Sequence, residues 1–151
     1  MGQVKTIPKG YHTVTPYLTV AGADKLVAFI EQVFGGSEVG RHDRPDGAIM
    51  HAEVRIGDSL IMISEACEQM GPMPGALYVY VDEVDAVYRK LMEAGATSVM
   101  EPADMFWGDR FASVRDPWGN AWSIATHVED VSPDELNRRA RAFTEQVDQP
   151  G

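Results

Sequence analysis

The chain has 151 residues, 44% of them apolar, and a formal net charge of −10. That length suits one domain, or two small modules sharing a core, with enough apolar matter to fold without staples. The charge excludes a nucleic-acid or anionic-membrane surface, no apolar run approaches the roughly 20 residues of a membrane span, and the single cysteine, Cys67, rules out an internal disulfide. The expectation is a soluble cytoplasmic protein. Met1–Lys9 lacks the apolar centre of a signal peptide, and Cys67 reads as a small hydrophobe near a strand end.

After an irregular lead-in to Gly10, Tyr11–Val20 alternates and is rich in β-branched and aromatic residues. It predicts a strand, with Pro16 marking an edge or a bulge. Gly22–Phe34 places Ala23, Leu26, Val27, Ile30, Val33 and Phe34 on one helical stripe, closed by Gly35-Gly36. Strands follow at Glu38–Arg44, Ile49–Ile56 and Leu60–Ser64, split by turns at Pro45-Asp46-Gly47 and Gly57-Asp58. Cys67–Gly75, with two prolines and two glycines, is a loop between halves.

The order then begins again. Leu77–Val81 is an apolar strand, and Val84, Val87, Tyr88, Leu91 and Ala94 form a second helical stripe closed by Gly95. A strand starts at Ser98–Met100, with a loop through Pro102 and Phe106. Phe111–Arg115 and Ala121–His127 make a hairpin across Asp116-Pro117-Trp118-Gly119-Asn120. Val20, Asp24, Leu26 and Ile30 recur at Val81, Asp85, Val87 and Leu91, and Ala52, Val54 and Arg55 recur at Ala112, Val114 and Arg115. The pattern predicts an α+β fold of two βαβββ modules, residues 11–66 and 76–127, with curved mixed sheets around a cleft, all in one domain. Ser132-Pro133-Asp134-Glu135 is a capping box opening a C-terminal helix over 132–147. Its Arg138, Arg139 and Arg141 form a solvated face that pairs with neighbouring acids, or a face that packs on a partner subunit.

Strand side chains alternate. The helix side takes Val14, Leu18 and Val20, then Ala52, Val54 and Ile56, Leu77, Val79 and Val81, Ala112 and Val114, and Trp122 and Ile124. The other side carries Thr13, Thr15, Tyr17 and Thr19, then His51, Glu53 and Arg55, Tyr78 and Tyr80, Phe111, Ser113 and Arg115, and Ser123, Ala125 and His127. It is too polar for a dry core and too aromatic for an ordinary surface. It describes a small-molecule cleft, or a face buried between subunits. Tyr17, Tyr78, Tyr80, Trp107 and Trp118 are the candidate stacking rings, and His51, Glu53, Arg55 and Arg110 the candidates for fixing polar groups. Trp107 and Arg110 are placed in the loop before the hairpin. His51 and Glu53 share a strand face at i, i+2, the one candidate acid–base pair.

Four stretches carry a resemblance: P-Y-L-T-V followed by a helix ending F-G-G (16–36), I-M-H-A-E-V-R-I-G-D (49–58), W-G-D-R (107–110) and D-P-W-G-N-A-W-S-I (116–124). The chain resembles the vicinal oxygen chelate superfamily, which includes glyoxalase I, bleomycin-resistance proteins and extradiol dioxygenases. The resemblance implies paired βαβββ modules forming a cleft, and a homodimer that completes it. It also implies metal ligands at positions carried here by Thr15, Ile61 or Met62, Ala76 and Ser123. Divalent metals need His or carboxylate donors there, and none is present. The expectation is a metal-free binder of an aromatic or cationic compound, with no cofactor. The alternatives are a lyase, isomerase or dioxygenase using a divalent metal or a metal-free acid–base pair, and a module whose sheet face only mediates assembly.

Overall fold

The computed structural model describes residues 2–148. They fall into two compact units. One takes the chain to Gly75 together with Pro117–Asn120; the other takes Ala76–Asp116 and the chain from Ala121.

The first unit holds β1 (Tyr17–Val20), α1 (Ala23–Phe34), β2 (Ser37–Asp43), β3 (Ile49–Ile56) and β4 (Ser59–Glu65), with sheet order β1-β4-β3-β2. β1 runs parallel to β4 and the other pairs are antiparallel. The second unit repeats the plan with β5 (Ala76–Tyr80), α2 (Val84–Glu93), β6 (Thr97–Asp104), β7 (Asp109–Arg115) and β8 (Ala121–His127), in the order β5-β8-β7-β6. A parallel first-to-last pair beside two hairpins is what a crossover helix after the first strand requires. The predicted α+β class and repeated strand–helix–strand–strand–strand modules are observed, with sheets that stay open. α3 (Pro133–Asp148) follows. Among the described residues no helix is long and apolar enough to cross a membrane.

α1 forms because its apolar stripe has a sheet to cover. Ala23, Leu26, Val27, Phe29, Ile30 and Val33 are buried, and the helix packs on β3 and β4, whose Ala52, Val54 and Ile63 face the same core. Gly22 begins the helix at φ 100 with no side-chain cap. The Glu65 carboxylate takes that role from the end of β4, accepting the Gly22 N–H at 2.9 Å and the Ala23 N–H at 2.7 Å. This satisfies helix-end donors and puts a negative charge at the positive end of the dipole. Buried aliphatic side chains are worth about 1.5–3 kcal/mol each, against about 1 kcal/mol for a cap, so packing holds α1 and the cap fixes where it starts.

Pro117–Asn120 belongs with the first unit. The Trp118 ring meets Phe29 edge-on at 5.4 Å, and a Cβ on Gly22 would lie 2.9 Å from the indole Nε1. Gly22 is therefore required twice, by its backbone angle and by the ring above it. Asn120, fully buried, accepts the Gly75 N–H at 2.9 Å.

The structure corrects four sequence expectations. The first strand starts at Tyr17, not Tyr11, and Val14 is 83% exposed instead of core. Its alternating pattern runs on past Pro16, but proline has no N–H for a ladder. β6 continues through Pro102 to Asp104, where a loop was expected. It is an edge strand whose register slips between Met100 and Ala103, the setting in which a strand tolerates proline. Arg110 lies within β7, not in the preceding loop. Finally, Thr19 and Ala125 are buried although parity puts them on the open side. Thr19 hydrogen-bonds Ser64 and is bridged to Met73, while Ala125 is flanked in register by Tyr80 and Phe111.

Candidate functional site

The open face of the second sheet is built on a buried carboxylate. Asp109, at the start of β7, is 3% exposed. Its Oδ2 accepts the Tyr78 hydroxyl at 2.7 Å and the Trp107 indole N–H at 3.1 Å. Its Oδ1 lies 2.8 Å from His127 Nδ1, the residue directly across the β7–β8 ladder. His127 Nε2 in turn lies 2.7 Å from Asp130 Oδ1. Two carboxylates on the two ring nitrogens select the doubly protonated imidazolium, which donates to both.

Each group's titration follows. Burial pushes Asp109 up, but the Tyr78, His127 and Trp107 donors outweigh it and leave the carboxyl below its ordinary value. Burial, then the bond to Asp109, pushes Tyr78 up to about 12, so the phenol stays protonated. Asp109 first, and Asp130 after it, raise His127. A histidine raised on folding contributes stability that is complete below its unfolded value near 6.5 and is lost as pH rises through the folded value. Asp109, lowered on folding, contributes stability present above about 4 and lost on further acidification. The thermal midpoint of the unsubstituted chain should exceed that of His127→Gln by more at pH 6 than at pH 9. An equal gap at both pH values would show that folding does not raise His127.

Rings surround the carboxylate. Tyr78 lies 5.3 Å from Tyr80 and 5.7 Å from Phe111. Trp107 meets Phe111 at 5.8 Å and Phe106 at 5.1 Å, both edge-on, and Phe106 touches Phe143 of α3 at 5.2 Å. Tyr78 and Tyr80 remain 45% and 65% exposed. Trp107 is held by a tight turn, in which the Gly108 N–H bonds Met105 and the Met105 N–H bonds Asp109. Gly108 has φ +99, and a Cβ there would collide with the Glu129 carbonyl.

The first sheet gathers Tyr17, His51, Glu53 and Arg55. Tyr17 and His51 rings are 5.8 Å apart, and His51 Nε2 stands 3.5 Å from Glu53 Oε1. That distance allows an ion pair but is long for a proton-transfer contact. The N-terminal segment covers part of this face. A Cβ at Gly10 would lie 3.3 Å from the Arg55 guanidinium, and burial, then the Glu53 carboxylate, pushes the Tyr11 phenol up to about 12.

Of the sequence candidates, Tyr78, Tyr80 and Trp107 thus come together around Asp109, and Tyr17, His51, Glu53 and Arg55 form a separate group. Trp118 packs with α1. Arg110 is on the other side of β7 from Asp109, its guanidinium 3.0 Å from Asp85 of α2 and 3.2 Å from Asp104. Sequence reasoning missed Asp109. The alternation that assigned Phe111 and Ser113 to the open face, carried two residues back, reaches it.

The four positions where metal-binding relatives carry ligands can be tested for fit. Tyr17 pairs with Met62 as Tyr78 pairs with Ser123, so Met62, not the buried Ile61, is the residue equivalent to Ser123. Thr15, Met62, Ala76 and Ser123 offer no His or carboxylate, a donor set that does not fit a divalent metal. Among the described residues no group of three or more His, Cys, Asp or Glu side chains is arranged to hold one.

Residues 11–124 match the Glyoxalase/Bleomycin resistance protein/Dioxygenase superfamily, and the chain belongs to it. Among its relatives, the uncharacterized protein Rv0887c of Mycobacterium tuberculosis is 34% identical over 134 residues, which cover 82% of this chain and 79% of the relative. TioX from Micromonospora sp. ML1 is 27% identical with a TM-score of 0.60, over 76% of this chain and 99% of TioX. TnmS3 from Streptomyces sp. CB03234, an antibiotic binding protein, shares the fold at 21% identity and a TM-score of 0.58, over 77% of this chain and 97% of its own.

Proposed function

We propose that the protein binds a planar aromatic small molecule, neutral or cationic, on the open face of the second sheet, without a metal and without chemistry. The observation that carries this reading is the exposed pair Tyr78 and Tyr80 beside Trp107, over a carboxylate whose oxygens are already occupied by Tyr78, Trp107 and His127. Large rings left in water and oriented by buried hydrogen bonds are a preformed stacking surface, with its ordering cost met in advance. The net charge of −10 attracts cations at long range, and tyrosine and tryptophan faces receive them at short range. TnmS3 is a precedent for antibiotic binding on the same fold. The polar first-sheet group of Tyr17, His51, Glu53 and Arg55 is assigned a secondary contact role. The proposed working form is a cytoplasmic homodimer, for which sedimentation equilibrium should give twice the 16.6 kDa of one chain.

Titration of the tryptophan fluorescence with a panel of aromatic antibiotics and metabolites tests the binding. At least one member should quench Trp107 with micromolar affinity, about 8 kcal/mol. A panel in which nothing binds more tightly than about millimolar, roughly 4 kcal/mol, would sink the reading.

A further inference from the structure

Resting on that binding face, we propose that the chain beyond β8 is part of it, and that Arg139 of α3 is the positioning residue that sets Trp107. α3 buries no residue of its own, so core packing does not explain its place. One guanidinium does. Arg139 Nε donates to Glu135 Oε1 at 3.0 Å on its own helix, which orients the fork. Its Nη2 stands 2.6 Å from Glu129 Oε1, in the segment leaving β8. Its Nη1 donates to the Phe106 carbonyl at 3.2 Å, in the turn that carries Trp107. Arg138 on the same helix pairs with Glu135.

The same turn is stitched to the same segment by backbone. The Gly108 carbonyl accepts the N–H groups of Val128 and Glu129 at 2.9 and 3.1 Å. One helical turn beyond Arg139, Phe143 rests on Phe106 while staying 43% exposed. The ring contacts therefore continue from the sheet through Trp107 and Phe106 onto α3. Trp107 is held from two sides: Asp109 takes its N–H, and Arg139 holds the carbonyl of the residue before it. Three acceptors in different directions demand a planar fork, which an ammonium cannot reproduce. Losing the fork frees the turn, and a guest that stacks on Trp107 must then order it on binding.

The test uses the full chain and proflavine, a planar tricyclic cation. The chain is labelled with 5-fluorotryptophan, so that Trp107, Trp118 and Trp122 each give one ¹⁹F line. Arg139→Met should weaken proflavine about five- to tenfold, and Arg139→Lys should not restore it. The Trp107 line should shift and broaden while the other two keep their positions. An unchanged dissociation constant, an unmoved Trp107 line, or full rescue by lysine would each overturn the proposal. Should Arg139→Met disturb all three lines, Glu129→Gln decides. It removes the negative charge that faces Arg139 Nη2 without touching the helix, and must move the Trp107 line alone and weaken proflavine, or the proposal fails. A panel, proflavine included, in which nothing binds the unsubstituted chain defeats the binding reading and this role with it, whereas binding that ignores Arg139 defeats only the role.

Discussion

Replacing Asp109 with alanine is expected to destabilise the protein by about 3 kcal/mol and to remove guest binding. Hydrogen bonds to a charged group contribute about 1.5–3 kcal/mol each, and Asp109 takes three short ones, from Tyr78, Trp107 and His127, beside a longer one of 3.5 Å from Tyr80. The sum is discounted because Tyr78 and His127 are half exposed, so water replaces part of what each loses. For a chain of this length about 3 kcal/mol corresponds to a fall of roughly 6–12 °C in Tm. Asp109→Asn keeps one acceptor oxygen and should lose about half as much, while letting His127 fall back toward an ordinary imidazole. Thermal melts of both variants with one proflavine titration each make the comparison. If Asp109→Ala melted within a degree of the parent and still bound, the carboxylate would not organise this face.

The second large effect is in the core of the same unit. Trp122 has no exposed surface, and its indole N–H donates to the buried Asp116 at 2.8 Å. Trp122→Ala opens a cavity, which alone costs about 3–5 kcal/mol, and withdraws a donor from a buried carboxylate, about 1–3 kcal/mol more. Against a typical total stability of 5–15 kcal/mol, the variant should be largely unfolded at 37 °C. Trp122→Phe keeps most of the volume and should survive with about 2 kcal/mol lost. Urea midpoints measure both, and equal midpoints for alanine and phenylalanine would mean that the cavity is not the dominant cost.

Trp122 and Asp109 also show where the sequence was informative. Alternation put Trp122 on the helix side of its strand, and Ala112, Val114, Trp122 and Ile124 are buried on that parity, with Ala125 and Asp109 the buried residues of the opposite one. Repeat spacing gave both modules because the same core must be filled twice. Alternation failed at Val14, because Pro16 has no N–H to carry the ladder back along β4, although that strand itself reaches to Ser59. The site was half legible. Tyr78 and Tyr80 declare themselves as aromatics on an open strand face. Asp109 does not, since its meaning depends on Tyr78 from another strand and His127 across a hairpin, 31 and 18 residues away in sequence. Arg139 was read as one of three equivalent basic residues. Only the fold distinguishes Arg139, whose fork reaches three acceptors, from its neighbours.

The discontinuous first unit has a consequence for synthesis. Trp118 covers Phe29 and the Gly22 turn, and Asn120 holds the Gly75 amide, yet both come from the far end of a hairpin made later. At about 5–20 residues per second, α1 waits several seconds on the ribosome with that end of its apolar stripe uncapped. The first unit is therefore finished by the second one's hairpin, when a tryptophan closes over the helix that was made first.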